Sequence, residues 1–173
     1  RANTTRSVTQ PVNWAPKEDA PATVKDPSDW RFERIADVLI ELQKRKIHYK
    51  TFFELFVSSG KLNALFPSHC YTIDDNSFDH KWVDKAFYGN PVYNSDFIYK
   101  TLEKALNDFA TAPLSTSFVF ILPRWNNSKF MVFAKYFEEI LTIPAGDTTV
   151  FSAVDIDGLT TPAMERTPDN RIY

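Results

Sequence analysis

The chain has 173 residues, enough for one hydrophobic core, and its 43% hydrophobic and 15% aromatic content excludes disorder throughout. Twenty basic and twenty-two acidic side chains give a net charge of −2, which argues against a free-standing, nonspecific binder of nucleic acid. The one cysteine, Cys70, excludes an internal disulfide and a cysteine-rich zinc site. No apolar run reaches the ~18 residues of a membrane span and no signal peptide is visible. We therefore expect a soluble, intracellular protein with no membrane partner.

Two segments without hydrophobic periodicity flank the predicted domain at residues 29–156. Residues 1–28 contain four prolines and residues 157–173 contain two, so both are predicted to be extended tails. Such tails are ordered only against their own core or a partner, which makes both candidates for binding a protein partner. The chain begins at an arginine, as a fragment of a longer protein would.

Hydrophobic periodicity predicts alternating helices and strands between these tails. Strand and helix in alternation are typical of an α/β sandwich with a mostly parallel sheet. Ligands of such sheets bind at the carboxyl ends of the strands. The predicted elements are a helix over 30–46 capped by Ser28 or Asp29, a strand over 52–57, a short helix over 62–66, strands over 70–73 and 86–88, a helix capped by Ser95 and ending near 110, a strand over 117–122, a helix over 128–139 capped by Ser128, and strands over 141–143 and 149–154.

The residues Asn90-Pro91-Val92-Tyr93 follow the strand predicted over 86–88 and precede a helix. The amide oxygen of Asn90 and the carbonyl of Pro91 can accept both hydrogens of an exocyclic amine, and Tyr93 can stack on a flat base. Proline fixes φ and so directs its carbonyl. The alternative is a proline turn at a strand end with no ligand.

Four segments, in the same order along the chain, resemble those of adenine-N6 methyltransferases. The resemblance covers roughly residues 50–152 and extends to the phosphorylated-CTD-interacting-factor type, which acts on cap-adjacent adenosine, and to phage and retroelement-encoded Dam-like enzymes. It implies a minimal Rossmann-like methyltransferase sandwich. The segments are 53–58 with Asn63, similar to the cofactor-side segment; 90–93, similar to the (Asp/Asn)-Pro-Pro-(Tyr/Phe/Trp) motif; 113–125, similar to the strand after the catalytic helix; and 141–146, similar to the next strand and its turn.

The resemblance implies S-adenosylmethionine as cofactor and adenine-containing nucleic acid, RNA or DNA, as substrate. Asn90 and Pro91 would then hold the target amino group, and Tyr93 would stack on a flipped adenine. Arg124 and Trp125 would be substrate contacts; a surface cap for Arg124 and a core role for Trp125 are the alternatives.

The resemblance also implies a cofactor side. Glu54 would serve the ribose or the methionine amine, and Ser58 and Asn63 would be secondary contacts. The alternative for Glu54 is a solvated charge at a strand end. No metal site is expected, because the three histidines lack a close ligand spacing.

Three features depart from the family pattern. Val92 replaces the second proline of the motif, Gly60 is the only glycine in the turn after the first core strand, and the core of about 100 residues is short. These departures favour a second hypothesis, in which the chain is a non-catalytic domain of this fold within a larger assembly.

Overall fold

A six-stranded sheet forms the centre of the computed structural model, which describes residues 30–48, 51–61, 63–144, 146–147, 149–154, 160–162 and 170–172. The elements in chain order are β1 (Trp30–Phe32), α1 (Ile35–Lys44), β2 (Phe53–Val57), β3 (Cys70–Thr72), β4 (Ala86–Gly89), α2 (Ser95–Thr111), β5 (Ser117–Pro123), α3 (Met131–Ala134), β6 (Leu141–Ile143), β7 (Phe151–Val154), β8 (Thr160–Pro162) and β9 (Asn170–Ile172), with two 3-10 turns at Ile73–Asp75 and Ser77–Asp79.

The strands of the central sheet follow the order β3-β2-β4-β5-β9-β6. The first four are parallel neighbours, whereas β9 is antiparallel to both β5 and β6. A second, three-stranded antiparallel sheet has the order β1-β7-β8. The prediction of an α/β protein with a mostly parallel sheet is therefore confirmed.

Aromatic side chains fill one face of the central sheet beneath α2. Phe87 of β4 stacks on Phe118 of β5 with ring centroids 5.3 Å apart, and Phe56 of β2 packs edge-on against Phe97 of α2. Gly89 lets β4 approach this layer, because a Cβ there would lie 2.6 Å from a ring carbon of the buried Phe120. This packing fixes the end of β4 immediately before Asn90.

The opposite face of the central sheet packs on the smaller sheet. Tyr88 of β4 contacts Phe32 of β1, which in turn contacts Phe151 of β7. Phe66, from the segment between β2 and β3, also packs edge-on against Tyr88. None of the helices in the described part of the chain is long and apolar enough to cross a membrane.

The first predicted helix was placed too early. Trp30 and Phe32 belong to β1, where they are buried on either side of a half-buried Arg31, and the helix begins only at Ile35 without a side-chain cap. The capping residues predicted at 28 and 29 lie outside the described residues. A three-residue strand is too short to show a period of two, and its partner β7 is more than a hundred residues away.

Other boundaries also differ from the predictions. Asn94, not Ser95, caps α2, and the helix expected over 128–139 is limited to α3. Ser128 does not cap it; its hydroxyl lies 2.8 Å from that of Ser95. The described residues of the helix expected over 62–66 form a turn and a bend, not a helix, and the tail predicted over 157–173 contributes β8 and β9.

Candidate functional site at the switch point of the sheet

The chain reverses its direction of travel through the sheet at β2, because β3 lies on one side of β2 and β4 on the other. In parallel α/β sheets the crevice at such a switch point, beyond the carboxyl ends of the strands, is where ligands bind. The segments that leave β2, β3 and β4 at this edge are 58–61, Ile73–Asp75 and 90–93. Most of the predicted site residues therefore lie near one edge.

Asn90 and Pro91 occupy the turn that leaves β4. Pro91 is buried, whereas the Asn90 side chain is partly exposed and makes no hydrogen bond to another of the residues that the structure describes. The carbonyl of Val92 accepts a hydrogen bond from the Asn94 amide at 2.8 Å, and Asn94 Oδ1 accepts one from Phe97 N at 2.9 Å. The turn is thus held through Asn94, and the amide of Asn90 is left available.

Tyr93 is inside the core, with 3% of its surface exposed. Its ring packs edge-on against Trp125 at 6.1 Å and against Phe151 of β7 at 6.2 Å, and burial raises its pKa well above the usual value. The structure thus brings Tyr93 and Trp125 together. Stacking of a base on Tyr93 requires Trp125 or Phe151 to move.

Glu54 lies within β2, three residues before the strand ends, and is 3% exposed. Its Oε2 accepts hydrogen bonds from Leu65 N at 2.7 Å and Phe66 N at 2.9 Å. Burial raises the pKa of this carboxyl from 4.5 to about 7, although the two amide donors oppose the shift. The alternative of a solvated charge at a strand end is therefore wrong; Glu54 anchors the segment between β2 and β3.

Ser58 and Asn63 are hydrogen-bonded to each other at the carboxyl end of β2. Asn63 Oδ1 accepts hydrogen bonds from the backbone N–H of Ser58 at 3.0 Å and from its hydroxyl at 2.9 Å, and both residues are buried. This pair closes the loop that contains Gly60. In the conformation described, their contribution to a ligand site is the shape of that loop.

Two further residues at this edge were not predicted from the sequence. The hydroxyl of Ser59, after β2, donates a hydrogen bond of 2.6 Å to Asp74 Oδ2, after β3, and both residues are exposed. The neighbouring Asp75 is instead engaged by the amide and hydroxyl of Thr72, which lower its pKa. Asp74 could have been identified because it is an acidic residue that follows β3, the strand next to the switch point. In doubly wound folds, a carboxylate at this position binds the ribose hydroxyls.

Arg124 and Trp125 leave β5 beside the turn of Asn90. Arg124 is exposed, and Trp125 is half-buried between Tyr93 and Phe130. An ion pair between Lys129 and Asp96 also links this segment to the start of α2. The edge therefore carries exposed polar groups around an aromatic pair.

Comparison with protein-family models, curated proteins and solved structures finds no significant match for this chain. Within the described ranges, no group of three or more His, Cys, Asp or Glu side chains is arranged to hold a metal ion.

Proposed function

We propose that this chain is an S-adenosylmethionine-dependent, adenine-N6 methyltransferase-like domain that acts on RNA or DNA. The proposal rests on the side-chain amide of Asn90, at the switch point of a parallel sheet. This amide is partly exposed and makes no hydrogen bond within the described residues. The strand order gives further support: the switch point lies within four parallel neighbours, β3-β2-β4-β5, the arrangement in which doubly wound α/β sheets bind nucleotides.

The residues at the edge fit the cofactor by the chemistry of their donors and acceptors. Asp74 and Ser59 offer a carboxylate and a hydroxyl, 2.6 Å apart, to a pair of ribose hydroxyls. Gly60, in the same loop, has no side chain to hinder the approach of a nucleoside. Bound there, S-adenosylmethionine would supply an electrophilic methyl group.

The chemistry assigned to this chain is mainly positioning. Asn90 Oδ1 and the Pro91 carbonyl would accept the two hydrogens of adenine N6, so that the nitrogen lone pair faces the methyl group. The cofactor would supply the methyl group to N6 with loss of its bond to sulfur, and N6 would lose one proton to solvent. Tyr93 and Trp125 would hold the flipped base once the Phe151 side of Tyr93 opens.

Substitution of Asn90 tests this assignment. Asn90→Ala removes one amine acceptor and no core packing, so we expect methyl transfer to an adenine-containing oligonucleotide to fall by at least about 10²-fold, with the melting temperature unchanged. The matched control is Asn107→Ala, on the exposed face of α2. Incorporation of a radiolabelled methyl group measures the effect. Full activity in Asn90→Ala would contradict the assignment of Asn90 as an acceptor for the target amino group.

A second candidate function, a non-catalytic module of the same fold that binds a protein partner, is favoured by the burial of Tyr93 against Phe151. The internal engagement of Ser58 by Asn63 points the same way. The tails expected to hold such a partner, residues 1–28 and most of 157–173, lie outside the described residues. Failure of the intact chain to bind the cofactor would select this function over the first.

A further inference from the structure

The chain enters the described fold at the carboxyl edge of the central sheet, beside the candidate site. Asn63 Nδ2 donates a hydrogen bond of 3.5 Å to the carbonyl of Trp30, the first described residue. Asn63 also accepts the hydrogen bonds of Ser58, directly after β2. The Trp30 ring packs edge-on against Phe151 at 5.9 Å, and Phe151 packs against Tyr93. The segment before Trp30 is therefore attached between the loop after β2 and the ring of Tyr93.

The 29 residues before Trp30 lie outside the described part of the chain, but their sequence separates the two signs of charge. Residues 1–17, the basic arm, contain three basic side chains and no acidic one. Residues 18–29, the acidic spacer, contain four acidic side chains and one basic one, and residues 30–173 contain sixteen basic and eighteen acidic side chains. Of these three segments, only the basic arm can attract a polyanion through its net charge.

Positive and negative side chains nearly balance at the edge of the sheet itself. Arg124 and Lys129 follow β5, and Lys129 is held in an ion pair with Asp96. Lys61, after β2, donates to a backbone carbonyl, and Asp74, after β3, is an exposed carboxylate. Nucleic acid is held mainly by Lys and Arg on its phosphates. A reaction on RNA or DNA at this edge therefore gains from cations supplied by another part of the chain.

The composition of the basic arm suits a single strand of nucleic acid. Trp14 lies between Arg6 and Lys17, and proteins that bind single strands combine cations for the phosphates with aromatic rings on which bases stack. The acidic spacer, with twelve residues, can span at most about 40 Å. At 3.4 Å per phosphate, this span corresponds to roughly ten nucleotides. The arm can thus reach a strand whose target base lies at the Asn90 turn.

We propose that residues 1–17 are a nucleic-acid-binding arm that holds the strand carrying the target adenine. Arg1, Arg6 and Lys17 bind its phosphates, and Trp14 stacks on an unpaired base. The acidic spacer repels phosphates, so the strand contacts the arm and the edge of the sheet as two separate points, which act together in one binding event. The proposal rests on the proposed function and identifies the part of the chain that retains its substrate.

The salt dependence of binding tests the arm. The probe is a fluorescein-labelled, adenine-containing single strand of about 20 nucleotides, and anisotropy measures its affinity between about 50 and 200 mM salt. Each cation placed on a phosphate adds about 0.7 to the slope of log K against log salt concentration. We expect the triple variant Arg1→Gln, Arg6→Gln, Lys17→Gln to lower this slope by up to about 2, and to weaken binding by up to about 10²-fold at ~0.1 M salt.

The matched control removes the same number of cations from the core. Lys44, Lys81 and Lys85 are exposed, and their joint replacement by Gln should change the slope by less than about 0.5. Trp14→Ala tests the stacking contact: we expect it to weaken binding about tenfold with the slope unchanged, because stacking releases no counterions. Trp14→Phe, which keeps a ring, should retain most of the affinity.

Methyl transfer measured on the same oligonucleotide separates the arm from the proposed function. Equal slopes and affinities of the wild type and the triple arm variant would overturn the arm, would leave the proposed function intact, and would leave residues 1–17 to a protein partner. A wild type that binds with the expected slope and transfers no methyl group would contradict the proposed function and support the arm. A wild type that binds no oligonucleotide at the lowest salt contradicts both.

Discussion

Glu54 shows how one buried residue can connect the sheet to a loop at the site. Its Oε2 holds the amides of Leu65 and Phe66, which lie between β2 and β3. The sequence predicted a charged residue in a strand and a link to the cofactor side, but its burial follows from the register with Tyr88 and Cys70. That register joins residues far apart in the chain, so local pattern could not reveal it.

The pH dependence of stability should report the burial of Glu54. The pKa of Glu54 is about 7 in the folded chain against 4.5 when unperturbed. Its stabilisation of the folded chain is therefore fully present below about pH 4.5 and is lost as the pH rises through 7. The loss amounts to about 3 kcal/mol in the free energy of unfolding. Glu54→Gln, whose amide oxygen can still accept both N–H groups, should not show it.

Urea unfolding at pH 5 and pH 8 measures this difference. Between pH 5 and pH 8, we expect the free energy of unfolding of the wild type to fall by up to about 3 kcal/mol more than that of Glu54→Gln. The control Glu103→Gln, exposed on α2, should follow the wild type. Parallel pH profiles for wild type and Glu54→Gln would show that the carboxyl is not buried as described.

At the scale of elements, the turn from β4 into α2 is the part of the site that the sequence predicted best. α2 is long and periodic, and a strand ending in Asn-Pro before it needs only local information. By contrast, β1 pairs with β7, more than a hundred residues away, and the covering of Tyr93 by Phe151 also joins residues far apart in the chain. The sequence therefore predicted that Tyr93 can stack on a flat base, whereas the structure buries its ring.

The cap of α2 couples the stability of the helix to the geometry of the motif. Asn94 Oδ1 accepts the Phe97 amide, and the Asn94 amide donates to the Val92 carbonyl. Asn94→Ala should lower the free energy of unfolding by about 1 kcal/mol, whereas Asn94→Asp, which retains the acceptor, should stay within a few tenths. Chemical unfolding of both variants measures this difference. Equal stability of Asn94→Ala and wild type would show that the Asn94 side chain does not stabilise α2 as a cap.

At the scale of the whole molecule, the order of the strands decides where a ligand can bind. The strand order places Asp74 and Asn90 at the same edge of the sheet, on either side of β2, although no single sequence motif relates them. The alternation of helices and strands predicted a mostly parallel sheet, but the identity of the strands on each side of β2 came only from the structure. Asp74 was missed for this reason.

Binding of S-adenosylmethionine to the intact chain is the most direct test of the central claim, and isothermal titration calorimetry is the measurement. We predict one-to-one binding that Asp74→Ala weakens at least about tenfold, because the ribose loses its carboxylate. Asp79→Ala, in the neighbouring 3-10 turn, should bind as the wild type does. No binding at cofactor concentrations up to about 1 mM, or equal affinities of Asp74→Ala and wild type, would contradict the assignment of this edge as a cofactor site.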